Sequence, residues 1–173
     1  MSQLLQRLNT IKSLCIPDWM TPSQRRTWDI LQSRLELGDM VNLHGQAGCG
    51  KTFLAWLFIK VRRAIYAPAQ DAIPHIIDTP SLLIIDNQQP ARDAYRALLS
   101  HLSIQQRQQT LIITRIAIHD DCYKVALHFT PEDRLCVQQR VVTLAPDLLV
   151  RTGGTLHHLI NPDLPLDTEE PPL

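Results

Sequence analysis

The eight residues Gly45-Gln46-Ala47-Gly48-Cys49-Gly50-Lys51-Thr52 follow the spacing G-x-x-x-x-G-K-T, and each residue type in it suits a task in holding a polyphosphate. Phosphate oxygens need several backbone N–H groups converging on one concavity, and glycines reach the required backbone angles without steric cost. A helix starting at Lys51 adds its unpaired N–H groups and the positive end of its dipole. Lys51 is expected to neutralise charge on the β- and γ-phosphates, and the Thr52 hydroxyl to ligate Mg2+. No guanine-reading N-K-x-D run occurs, so the expected cofactors are ATP and Mg2+.

Two further segments carry groups that would complete such a site. Ser81-Leu82-Leu83-Ile84-Ile85-Asp86 is an apolar run ending in one carboxylate and resembles the Walker B element. In a parallel sheet, ligands bind at the carboxyl ends of the strands, which is where Asp86 would hold Mg2+ together with Thr52. The next residue is Asn87, an amide that orients water but cannot take its proton, so hydrolysis is expected to be slow or partner-dependent. Asp71 and Asp93 are the substitute bases to consider. In Leu111-Ile112-Ile113-Thr114-Arg115 a hydroxyl and a guanidinium end another apolar run, where they could sense or stabilise a γ-phosphate. No H-E-x-x-H, paired Cys/His spacing or G-x-S-x-G points to other chemistry.

These groups need elements to position them. Thr21-Pro22-Ser23-Gln24 predicts a helix start, with Thr21 as N-cap and Pro22 first, and Trp28, Leu31, Leu35 and Leu37 form an apolar stripe up to Gly38. Met40–His44 reads as a buried strand leading into the glycine loop. A helix from Lys51 follows, with Phe53, Leu54, Leu57, Phe58 and Val61 at helical spacing. Ala64–Ala67, Ser81–Ile85, Thr110–Thr114 and Lys124–Phe129 are the other strands. Pro90 to Gln105 predicts one helix with Ala91, Ala94, Tyr95, Leu98, Leu99 and Leu102 inward, and Thr130-Pro131-Glu132-Asp133 opens another. Strands alternating with helices argue for an α/β fold, a parallel sheet of about five strands covered on both sides.

On the loop GQAGCGKT, SLLIID, LIITR and the strand-then-cap run KVALHFTPEDR, the chain resembles the AAA+ and related signal-transduction (NACHT and NB-ARC-like) ATPases from about Thr21 to Ile160. The resemblance implies sheet order 5-1-4-3-2, the sensor-1 position for Thr114, and Arg115 as the arginine of the T-T-R-like element. Those families mostly place a glutamate where this chain has Asn87. Thr152-Gly153-Gly154-Thr155-Leu156-His157 resembles a lid segment whose arginine is here His157. The implied organisation is an N-terminal extension (1–20), a P-loop core (21–129), a short helical lid (130–160) and an acidic, Pro-rich tail (161–173). Arg92, Arg96 and Arg107 are the candidates for a trans-acting arginine. Thr21-Pro22-Ser23-Gln24 also resembles the T-P-x-Q segment of some helicases, although a plain helix cap accounts for it equally.

Composition narrows the setting. Hydrophobic residues make up 45% of the 173, enough for one core, whereas 5% aromatic content poorly supplies a base-stacking platform. Seventeen basic and seventeen acidic residues give no net field for a polyanion. Basic residues nonetheless concentrate in the first third, where Arg7, Lys12, Arg25, Arg26 and Arg34 leave room for nucleic-acid contact. No secretory leader or apolar stretch of membrane length is evident, and four irregularly spaced cysteines suit a reducing cytoplasm. Three functions follow: a nucleotide switch working with other protein subunits, a nucleic-acid-associated loader or transposition-type ATPase, or a small-molecule P-loop kinase.

Overall fold

The computed structural model describes residues 15–62, 64–68, 82–86, 88, 91–118 and 122–144. Asp71, Ser81, Asn87, His157, most of the expected extension, the later part of the lid and the tail lie outside the described residues. Five strands, β1 (Val41–His44), β2 (Ala64–Ala67), β3 (Leu82–Ile85), β4 (Thr110–Thr114) and β5 (Tyr123–Ala126), form one sheet in the order β2-β3-β4-β1-β5. Every pairing is parallel. This is the order expected from the sequence, read from the opposite edge.

Register explains why the site falls where it does. His44 at the end of β1 pairs with Thr114 of β4 on one side and Ala126 of β5 on the other. The loop after β1 therefore leaves the sheet level with the polar end of β4. β3 and β4 are buried along their length, as near-continuous apolar strands covered on both faces must be. Their residues alternate between two cores. Leu82, Ile84, Leu111 and Ile113 join the core with Leu31, Leu54 and Phe58, while Leu83, Ile85 and Ile112 meet Tyr95, Leu98 and Ile118 on the other face.

Helix α1 (Pro22–Glu36) starts where the sequence places it. The Thr21 side chain accepts from the Gln24 N–H and the Gln24 side chain accepts from the Thr21 N–H, a reciprocal capping box. Trp28, Leu31 and Leu35 are buried, and the Trp28 and Phe58 ring centroids lie 4.1 Å apart, packing α1 onto α2 (Lys51–Val61). Leu37 departs from the expected stripe and is 70% exposed, because it lies past the last helical turn as the C-cap. Val61 is exposed for a similar reason, at the final turn of α2. Before α1, a short 3₁₀ turn at Pro17–Trp19 is flanked by Cys15 and Met20, both in the core.

The expected single helix from Pro90 to Gln105 is two: α3 (Arg92–His101) and α4 (Ile104–Arg107). Leu102 and Ser103 adopt extended backbone, and Ser103 with Gln106 forms a second capping box that opens a new helix. Tyr95, Leu98 and Leu102 face inward as expected, but Ala91 is exposed. The last strand runs from Tyr123 to Ala126, shorter than Lys124–Phe129, and α5 spans Pro131–Leu144. No helix of the described residues is long and apolar enough to cross a membrane.

Candidate functional site

Gly45 to Gly50 form the turn between β1 and α2. Gly45 has φ +155, and a Cβ there would lie 2.2 Å from the Leu127 carbonyl oxygen, so no other residue fits without moving the β5 end. Its N–H donates to the Arg115 carbonyl at 3.2 Å, tying the loop to the end of β4. Gly50 caps α2 with φ 96 and ψ 20, a left-handed conformation that costs glycine nothing. Gln46 and Ala47 are exposed, Gly48 is partly so, and Cys49 is buried under the turn. The Lys51 ammonium lies inside, donating to the Gly45 and Gln46 carbonyls at 2.6 and 2.8 Å and approaching the Cys49 sulfur at 3.6 Å. Burial raises the Cys49 thiol pKa against the opposing pull of Lys51, so the thiol stays protonated. At the end of β1, His44 is held below its ordinary pKa by burial, then by the positive surroundings of His128, Lys51 and Lys124.

Asp86, buried at the end of β3, meets this turn. The Thr52 hydroxyl donates to its Oδ2 at 2.9 Å, so the two residues read as metal ligands are in contact. A hydroxyl and a carboxylate are oxygen donors of the kind Mg2+ accepts while keeping several waters, and the donor set fits that ion. Among the described residues, no group of three or more His, Cys, Asp or Glu is placed to hold a metal alone. Such a site suits a cation whose other ligands are waters and phosphate oxygens. Sequence reasoning missed a third member: the Tyr66 hydroxyl of β2 donates to the same Oδ2 at 2.7 Å. Burial raises the Tyr66 pKa, and the hydrogen bond and charge of Asp86 raise it further, so it remains a donor. The only advance signal was a tyrosine near the end of a short strand.

The end of β4 carries a hydrogen-bond network of its own. The Thr114 hydroxyl is buried, donates to the Ile116 carbonyl at 2.7 Å and accepts from the Asn42 side-chain amide at 2.9 Å. Asn42, wholly buried in β1, also donates to the Ile112 carbonyl and accepts from the Ile118 N–H. This network binds β1, β4 and the following loop. Its one clue in the sequence was an amide inside an otherwise apolar strand. Arg115 is exposed beside it.

Other candidates fall elsewhere. The Arg107 guanidinium donates to the Leu99 and Leu102 carbonyls, closing the end of α3. Arg96 and Asp93 are exposed on α3. Gln24 is buried, and besides capping α1 it reaches the Cys49 carbonyl at 3.5 Å. A second buried carboxylate, Asp133, was legible only as a first-turn acid. It accepts from the Ser23 N–H of α1 at 2.9 Å, and from the Thr130 N–H and hydroxyl at 2.8 and 2.9 Å. Burial works to raise its pKa, but the Ser23 and Thr130 amides outweigh burial and hold it below the ordinary value.

Fold and site together define an open parallel α/β sheet with a glycine turn, a lysine, a hydroxyl and a carboxylate gathered at the carboxyl ends of β1 and β3. No protein-family model matches the sequence, and no curated protein matches it. Among solved structures, the chain is similar to AMPPCP-bound DnaA from Aquifex aeolicus, with a TM-score of 0.48 and 14% identity over 82% of this chain. It spans 58% of the length of that chain.

Proposed function

We propose that this chain binds Mg-ATP as a P-loop protein of the AAA+ and signal-transduction type, and works as a slow or partner-activated ATPase, a nucleotide switch within a larger assembly. The observation that carries this is the contact of the Thr52 hydroxyl with Asp86 beside a left-handed glycine turn that leads into α2. Residues from two segments far apart in the sequence, 45–52 and Asp86, meet there, which supports the reading. Backbone amides of the turn bind phosphate oxygens. Lys51, whose ammonium already lies against the turn, exchanges carbonyl partners for phosphate oxygens of higher charge. Thr52 and Asp86 hold the cation, which when bound neutralises charge on the phosphates. Asn87 follows Asp86 in the sequence and can orient a water without removing its proton, which is the basis for slow turnover. Arg115, exposed at the end of β4, is the candidate for meeting a γ-phosphate; Thr114 would act through the network that places Arg115.

Binding of a labelled ATP to wild type and Lys51→Ala, with and without Mg2+, tests the proposal. Saturable uptake by wild type, weakened at least about tenfold in K51A, is expected from loss of a charge-assisted contact. No saturable uptake by wild type, alone or with its partner subunits, would overturn it. Turnover that rises in Asn87→Glu would bear out the missing base. Mass determination with and without ATP tests whether the nucleotide drives assembly.

A further inference from the structure

Among the described residues Asp86 is the carboxylate that meets the turn, and the Tyr66 side chain is bound to it from β2. β2 is an edge strand, paired with β3 so that Tyr66 lies opposite Ile84 and Ala67 opposite Ile85. The Asp86 N–H donates to the Ala67 carbonyl at 2.9 Å, so the ladder continues through the aspartate backbone. With the backbone fixed, the remaining freedom of Asp86 is rotation of its carboxylate. Two hydroxyls from different elements, Tyr66 on β2 at 2.7 Å and Thr52 on α2 at 2.9 Å, donate to the same oxygen, Oδ2. A carboxylate oxygen offers two lone pairs in this plane, and two donors on it fix that rotation. The Tyr66 ring packs against the core as a phenylalanine ring would, so packing does not account for the hydroxyl.

We infer that Tyr66 is a positioning residue for the metal site: its hydroxyl orients the Asp86 carboxylate and thereby sets the Mg2+ requirement of nucleotide binding. This rests on the proposal that Asp86 holds Mg2+. Groups hydrogen-bonded to a metal ligand orient it, and their loss typically weakens metal binding about 10–100-fold. Nucleotide binding without Mg2+, which depends on the glycine turn and Lys51, does not pass through Tyr66.

The test is titration of a fluorescent ATP analogue against wild type, Tyr66→Phe, Asp86→Asn and the double variant, across Mg2+ concentrations and in EDTA. Thermal unfolding in EDTA accompanies it. In Y66F the half-saturating Mg2+ concentration should rise about tenfold. Affinity in EDTA should stay within about twofold, the spread expected of a site left intact. On the D86N background, Y66F should change nothing further in Mg2+ dependence. A Y66F half-saturation equal to a Mg2+-dependent wild type overturns the inference and leaves the ATP proposal standing. Equal losses with Mg2+ and in EDTA, together with a lower unfolding temperature, overturn it in favour of a packing role. A wild type that binds nucleotide without regard to Mg2+ sinks the metal role of Asp86 and this inference with it.

Discussion

The turn between β1 and α2 and the junction between α1 and α5 are both built of buried polar groups, but they spend their hydrogen bonds in different ways. At the turn, the Lys51 ammonium bonds to carbonyls of its own loop, Gly45 and Gln46, and the Asp86 carboxylate takes hydroxyls from Thr52 and Tyr66. The carbonyls on Lys51 can be exchanged for phosphate oxygens, and the Thr52 hydroxyl can turn to a cation, without undoing a helix or the sheet. At the junction, one carboxylate serves two helices at once. Asp133 caps α1 through the Ser23 N–H and completes the start of α5 through Thr130. Any exchange there leaves an N–H of a helix end without a partner. Burial of polar groups is therefore shared by a ligand site and a structural clamp. What separates them is whether the hydrogen bonds engage side chains and loop carbonyls or the backbone N–H groups that start a helix.

The contrast can be broken most directly at Gly45, which lies against the Leu127 carbonyl. Gly45→Ala should destabilise the protein by about 4 kcal/mol, the upper range for a forced steric overlap, because its Cβ would meet the Leu127 carbonyl. Urea unfolding measures it, and a loss below about 1 kcal/mol would show the β5 end yields easily. Asp133→Ala should cost about 3 kcal/mol, since hydrogen bonds to a charged group contribute about 1.5–3 kcal/mol each and two helix starts lose theirs. The acid side offers a finer check. The folded Asp133 pKa is lowered, so its stabilisation is fully present above the unfolded value near 3.9 and is lost as pH falls through the folded value. Stability of wild type should fall over that window, and Asp133→Asn should flatten the profile there. Lys51→Ala should be the mildest for the fold, at about 1 kcal/mol, because its partners are loop carbonyls that water can reach once the side chain is gone. A K51A loss as large as that of D133A would erase the distinction between the two regions.

Local chemistry was readable wherever neighbours in sequence are neighbours in space. The capping box at Thr21 and Gln24, the strand into Gly45 and the helix at Lys51 needed only short-range rules. The α3–α4 break was also written locally, as Ser103 and Gln106, but the apolar period running through it from Tyr95 to Leu102 masked the cap. Asn42, Tyr66 and Asp133 were illegible as site or clamp residues, because the partners that give them those roles lie far away along the chain. The Ser23–Asp133 contact spans 110 positions. Thr114 shows the same limit from the other side: a hydroxyl at a strand end looks available until the amide of the neighbouring strand is known to occupy it.

The sequence by itself determined the loop, its lysine and hydroxyl, the alternation of strands and helices, and through resemblance the order in which those strands lie. Backbone angles, side-chain period and helix caps are set within a few residues, which is why such features survive reading one chain alone. Tertiary structure decided which oxygen of Asp86 is engaged and by whom, that Thr114 is tied to Asn42, and that one aspartate joins two helices. Those are matters of distance between remote segments, fixed only when strand pairing and the two buried cores bring them within reach of a hydrogen bond.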